Sequence, residues 1–419
     1  MLSKKPVKIS LLILTFISCA SLPKRIIYKD LPAEVVCPTG TNVNKKIVIL
    51  YNNSGSAHVS ASKSLAHILG PEYCVSFIDF SADIIAKAWR IYPDKLYNAK
   101  LKQRKFSRLN FMSRNTMPLL LKFSNWRTIR FLREEISKKK PDLVISTIPF
   151  INSMVINVAK EKAIPVVVVG LDQDLTNWLQ GVDASLLKGA NIKFTLDTTS
   201  SPIGVEQLAQ IGISSENIIN TGFPIRRSFR EAPPKDLARK KMQIGDDKFV
   251  VLVMFGGSAS NFMISLAKEF KQNNNKQLHI LLVAGGNEEI KEKLKNYVFP
   301  KGVTAEIFGF VENIAEMMSA SDLFIGKPGS LSVYEAIHLK LPMILDLTKG
   351  AMTHELATAN FIKDMGLGLL LKDIVQLNSL IDIFSTEETY ENYKKNFNKI
   401  AIKNFDTEFM NLIKNHLLL

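Results

Sequence analysis

The sequence predicts an α/β protein made of two parallel, doubly wound sheets facing one another across a cleft. Three observations carry this reading. Apolar runs of strand length alternate with helical patterns from Lys46 to about Lys372. Two of these runs end in glycine turns that open helices, at Phe255-Gly256-Gly257-Ser258-Ala259-Ser260 and at Gly326-Lys327-Pro328-Gly329-Ser330. The length of 419 residues also exceeds what one hydrophobic core usually supports.

In chain order, the first element is a leader. Lys4, Lys5 and Lys8 precede the apolar run Ile9 to Ala20, the pattern of a secretory signal. Ser18-Cys19 resembles the cleavage end of a bacterial lipoprotein signal, and the run is short for a membrane span. Cleavage, lipidation and retention as an anchor all stay open, and 1–40 is set aside as leader and lead-in. Ile47 to Tyr51 follows as a strand, Val59 to Leu69 as a helix and Cys74 to Phe80 as a strand. Asp142 to Thr147, the buried β-branched run at Val166 to Val169, Ile192 to Leu196 and Ile218 to Gly222 complete a first domain over 41–230. The charged stretch 231–247, with Pro233-Pro234 and Gly245, reads as a linker. A second domain over 248–385 has strands at Phe249–Met254, Leu278–Ala284, Thr304–Phe308, Asp322–Ile325 and Pro342–Leu347. The tail 386–419 reads as helical and able to pack back across the boundary.

Composition narrows the partners. Hydrophobic content of 46% with 22% charged residues is globular, and the net charge of +15 calls for an anionic partner. Much of that charge lies between Lys95 and Lys140, which holds Arg104, Lys105, Arg108, Arg114, Arg127, Arg130 and Arg133 and ends in Lys138-Lys139-Lys140. Phe106, Leu109, Phe111, Leu119, Phe123 and Trp126 are interleaved with them. A basic, aromatic, amphipathic segment suits an anionic membrane surface. Nucleic acid is not expected, since no recognised binding module accompanies the charge. The three cysteines have no metal-ligand spacing, and their odd number predicts no disulfide framework.

The second-half turns carry the chemistry. A strand, a Lys-Pro-Gly turn and a helix with Glu335 in its second turn offer backbone amides to phosphates and a carboxylate to a diol. The amides of Gly256, Gly257 and Ser258 and those around Gly329 and Ser330 are the expected diphosphate cradle. In the first half, Asp172-Gln173-Asp174 follows the Val166–Val169 strand. Such a pair can hold a metal or cap the next turn; here we expect a base or acceptor-binding role for Asp172, with turn capping left open.

These residues resemble a known family. Gly309-Phe310-Val311-Glu312-Asn313, Lys327-Pro328-Gly329-Ser330, Glu335-Ala336, Leu341-Pro342-Met343 and the pair Glu355 and Asn360 are similar to glycosyltransferases that make galactosyl- or glucosyl-diacylglycerol, relatives of the GlcNAc transferase of peptidoglycan synthesis. In the first half the likeness is confined to Ser54-Gly55-Ser56-Ala57-His58, Trp178 and Thr221-Gly222-Phe223-Pro224-Ile225-Arg226, with Ser56 and Ala57 in place of glycines and no His before Trp178. The resemblance implies the glycosyltransferase B-type fold of two Rossmann-like domains. It implies a UDP-sugar in the second domain, with uracil at Phe310 and Val311 and ribose on Glu335. It also implies a lipid acceptor, diacylglycerol in the first place, near His58. Proton removal by His58 or Asp172, inversion at the anomeric carbon, and no metal or cofactor complete the expectation. The chain would work at a membrane, the bacterial inner-membrane face being favoured. Two alternatives are a polyprenyl-linked saccharide acceptor and an exported lipoprotein that has kept the fold without the activity.

Overall fold

The computed structural model describes Cys37 and residues 45–54, 57–256, 261–271 and 277–417. The expected leader, with its signal and lipoprotein motifs, lies outside the described residues, as do Gly257 and Ser258.

Two six-stranded sheets form the scaffold. The first contains β1 (Lys46–Tyr51), β2 (Cys74–Asp79), β3 (Leu143–Ser146), β4 (Val166–Val169), β5 (Ile192–Leu196) and β6 (Ile218–Asn220), in the order β2-β1-β3-β4-β5-β6. The second contains β7 (Lys248–Met254), β8 (Gln277–Val283), β9 (Val303–Phe308), β10 (Leu323–Gly326), β11 (Met343–Asp346) and β12 (Gly368–Leu371), in the order β12-β11-β10-β7-β8-β9. Every strand pair is parallel, as unbroken aliphatic runs buried on both faces require. Each sheet reverses its strand order once, between β1 and β3 in the first and between β7 and β10 in the second. Ligands bind at such switch points, beyond the carboxyl ends of the strands.

The alternation of the pleat joins the halves. Val250, Leu252 and Met254 of β7 belong to the same buried cluster as the first sheet, whereas Phe249, Val251 and Val253 face a second cluster. The two sheets therefore share apolar packing as well as a covalent crossing.

The structure departs from the sequence reading in several places. The stretch 231–247 contains a helix, Lys235–Lys241, held to the second half by Arg239, whose guanidinium donates to Asp322 Oδ2 at 2.5 Å. The same carboxylate oxygen accepts from the backbone of Val250 at 2.7 Å, so this segment is anchored to β7. The strand β12, which opens on Gly368, was not expected. Cys37 and Cys74 are disulfide-bonded, a correction to the expectation from cysteine number; one odd cysteine does not prevent a single bridge. The terminal helix Phe405–Leu417 reaches the first described helix, Ala57–Leu69, and Lys414 Nζ lies 3.0 Å from Glu72 just beyond it.

The basic region folds as helices Pro93–Lys102, Phe106–Phe111 and Met117–Lys139, inserted between β2 and β3. Part of it serves the protein interior: Phe106 and Leu109 pack with Met352 of the second half. Lys105, Arg108, Phe111, Arg114, Trp126 and Arg127 are exposed, with Phe111 at 64% and Trp126 at 69%. Among the described residues no helix is long and apolar enough to cross a membrane.

Candidate active site

The two switch points meet. His58 stands at the start of the helix that follows β1, and its Nδ1 lies 2.6 Å from the backbone oxygen of Thr147, the residue after β3. A carbonyl oxygen only accepts, so Nδ1 carries the proton of the neutral ring and Nε2 carries the lone pair. Burial depresses the His58 pKa below its ordinary value; Asp172 and the Thr147 bond oppose the shift, while His354 and Lys327 add to it. His354 and Lys327 belong to the second half, so the ring feels both sides of the cleft.

Asp172, just beyond β4, accepts from the indole Nε1–H of buried Trp178 at 2.8 Å and from the Ser330 hydroxyl at 3.3 Å. The first bond fixes the carboxylate within its own half; the second crosses the cleft to a helix start. Asp174 instead accepts from the Thr176 backbone N–H and hydroxyl at 2.9 and 2.6 Å, and from Gln207 at 2.8 Å. Of the two acids, Asp174 caps the turn and Asp172 faces the other domain.

From the second half, Gly256 lies two residues beyond β7 with a φ of +76°, and Lys327 follows β10. The helix Ser330–His338 begins at Gly329 with no side-chain cap, which leaves its first amides available. Lys327 Nζ donates to Glu355 Oε1 at 2.6 Å, and Glu355 Oε2 accepts from the Met352 backbone at 3.4 Å, in the first turn of helix Thr353–Asp364. Burial alone would raise the Glu355 carboxyl, yet Lys327 and His354 outweigh it and hold it below the ordinary value. Tyr97 completes the wall: its phenol is pushed up by burial, with the charges of Glu355 and Asp172 adding to the shift.

The other expected site residues are distributed differently. Glu335 is wholly buried, and both its oxygens are taken by Arg226, which donates from Nε at 2.6 Å and from Nη2 at 2.7 Å. Val311 is half-buried and Phe310 is 71% exposed beyond β9. Asn360 is exposed, five positions after Glu355 and so not on its face of the helix. Thr358 does share that face; it is fully buried, and its hydroxyl has no hydrogen-bond partner in the structure. Lys327, Arg226, His354 and Tyr97 were given no role by the sequence reading. A single cation inside a glycine turn was the available signal for Lys327; nothing local marks Tyr97. Among the described residues no group of three His, Cys, Asp or Glu side chains could hold a metal ion.

Comparison with known proteins gives the class of the enzyme. Residues 250–415 match the glycosyltransferase family 28 C-terminal domain. The chain is a glycosyltransferase with a family 28 C-terminal domain. It is 27% identical over 396 residues to the processive diacylglycerol beta-glucosyltransferase of Bacillus subtilis strain 168, an alignment covering 87% of this chain and 93% of the relative. The Bacillus pumilus protein of the same name is 27% identical over 392 residues, covering 86% and 92%. Among solved structures, the crystal structure of Acinetobacter baumannii MurG superposes with a TM-score of 0.59 at 15% identity, covering 88% of this chain and 99% of that one. A UDP-glucosyltransferase from Polygonum tinctorium gives 0.61 at 12% identity, with 90% and 100% covered. These structural likenesses confirm the two-domain fold of this glycosyltransferase.

Proposed function

We propose that this glycosyltransferase moves a hexose from a UDP-sugar to the hydroxyl of a membrane lipid, with diacylglycerol as the favoured acceptor. The observation that carries the reading is the convergence of His58 and Asp172 from one domain with Ser330, Lys327 and Glu355 from the other. The relatives named as diacylglycerol glucosyltransferases support the choice of acceptor.

In this mechanism the donor lies along the second-half switch point. The amides at Gly256, Gly257, Ser258, Gly329 and Ser330 hold its diphosphate, Phe310 and Val311 flank the uracil, and Glu355 and Asn360 complete the donor site. Glu335 binds the ribose diol, which requires its fork with Arg226 to open, since both carboxylate oxygens are occupied. The acceptor oxygen attacks the anomeric carbon from the side opposite the diphosphate, so the configuration inverts. Neutral His58, through Nε2, or Asp172 takes the acceptor proton. UDP departs with the bonding pair, stabilised by positioned N–H groups. The exposed Phe111, Trp126, Lys105, Arg108 and Arg114 suit an anionic bilayer from which the lipid is drawn, each near-surface cation contributing roughly 1 kcal/mol.

The test is transfer itself. The full chain is incubated with UDP-glucose or UDP-galactose and with phosphatidylglycerol vesicles containing diacylglycerol, and the lipids are read by mass spectrometry. Hexosyl-diacylglycerol with equimolar UDP is expected, falling by about 10²- to 10⁴-fold in His58→Ala or Asp172→Asn, whichever is the base. Conversion of a polyprenyl-linked saccharide in place of diacylglycerol would overturn the acceptor. A folded protein that binds UDP and transfers to neither would overturn the mechanism.

A further inference from the structure

We infer that Lys327 is a catalytic residue of this transferase: its ammonium leaves Glu355 on donor binding and neutralises the β-phosphate of the departing nucleoside diphosphate. The inference rests on the UDP-sugar reading above and adds a charged group to a cradle otherwise made of neutral amides.

Three observations place Lys327 there. It follows β10, and Gly256 lies just beyond β7, so both belong to the one switch point of the second sheet. Its side chain lies across both glycine turns: a Cβ built on Gly329 would come within 3.1 Å of Lys327 Cε and 3.2 Å of Nζ, and one on Gly256 within 3.8 Å of Cε. A side chain at 329 would occupy the path the lysine takes, which gives that glycine a reason beyond its turn. The ammonium also adds to the depression of the His58 imidazole, so its charge is felt across the cleft at the proposed base.

Its present partner is suited to release it. Glu355 is almost fully buried, but its second oxygen also accepts from the Met352 backbone, while the Lys327 side chain is 31% exposed and on the open side of the pair. A diphosphate is a stronger counterion than one carboxylate, and lysine meets phosphate as a mobile point charge. The freed Glu355 then accepts from hexose hydroxyls. In the transfer step the acceptor oxygen forms its bond to the anomeric carbon as the bond from that carbon to the β-phosphate oxygen breaks. The acceptor proton goes to the base, the electron pair leaves on UDP, and Lys327 faces the oxygen on which the charge develops.

The decisive measurement is the ratio of UMP to UDP dissociation constants, by calorimetry, in wild type, Lys327→Met and Lys327→Arg, because UMP lacks the phosphate concerned. Wild type and Lys327→Arg should favour UDP, and Lys327→Met should lose at least about tenfold of that preference with UMP little changed. A variant that is merely less well folded would weaken both nucleotides and leave the ratio intact. An unchanged ratio in Lys327→Met would overturn the assignment to Lys327 alone. Folded wild type that binds neither nucleotide would overturn the donor reading on which it stands.

Discussion

Two of the contact sets that join the halves of this molecule differ in how much support each buried charge retains when its partner leaves. The first lies where the chain passes from β6 into the second domain. There Arg226 forks onto Glu335, Phe223 stacks on Tyr334 with ring centroids 4.0 Å apart and planes 8° apart, and the Tyr334 hydroxyl bonds Ser200. The second is made by the helices between β2 and β3. There Arg104 pairs with Asp346 at the end of β11 and donates to Thr348, and Asn110 exchanges bonds of 3.0 and 2.9 Å with the backbone of Ala351 and Thr353. Both carboxylates are buried. Glu335, however, draws its hydrogen bonds from Arg226, whereas Asp346 also accepts from the Thr348 backbone and hydroxyl at 3.0 and 2.8 Å. The contact with a local substitute can open at modest cost; the one without opens only where a ligand replaces the hydrogen bonds that Glu335 gives up, and otherwise holds the crossing together.

The largest expected effect tests the crossing. Arg226→Met leaves an uncompensated buried carboxylate and should cost about 3–5 kcal/mol in urea unfolding. Arg226→Met combined with Glu335→Leu should recover most of that loss, since an apolar pair can replace a buried ion pair. If Arg226→Met costs less than about 1 kcal/mol, a value typical of exposed pairs, the contrast between the two contact sets disappears.

Next comes the other contact. Arg104→Met removes one charged donor from a carboxylate that keeps two, and the stacking of its guanidinium 4.0 Å from the Phe262 ring centre. We expect a loss of about 1–2 kcal/mol by the same unfolding measurement, smaller than for Arg226→Met. A loss equal to that of Arg226→Met would mean that Thr348 does not substitute, and that both contact sets are locks.

How much of this was legible depends on how local the cause is. Strand runs and glycine turns are encoded by neighbouring residues, so the two sheets and the donor-side turns at Gly256 and Gly329 could be read directly. Glu335 could be picked out on its helix, but its fork partner is 109 residues away, and no spacing rule reaches that far. Arg104 sits in a basic run and looks like the cations around it; only the fold separates it, inside the cleft, from exposed Arg108 and Arg114. Asn360 and Thr358 make the same point at short range. The amide drew attention through the family resemblance, yet helical geometry puts the hydroxyl on the face of Glu355. The base candidates His58 and Asp172 were named one by one, and that they share a cleft with Lys327 follows from two switch points facing each other.

The smallest effect joins the two contact sets to the chemistry. His58 hangs from Thr147 in the first half, but the second half contributes to its surroundings through Lys327 and His354. Burial is the main cause of its lowered pKa, so a neutral base persists below the ordinary value of 6.5, and the acid limb of kcat/KM should fall below that pH if His58 is the base. The sign is fixed: activity is lost as the pH drops through the depressed pKa and the imidazole takes a proton from solvent. Opening the cleft at Arg104 admits water, weakens the penalty on the charged ring and should move the limb of Arg104→Met upward toward 6.5. Lys327→Met should move it the same way by removing a neighbouring cation, although Asp172 continues to favour the protonated ring in both variants. An acid limb that stays in place in Arg104→Met while stability falls would show that this contact holds the domains without controlling the hydration of the base.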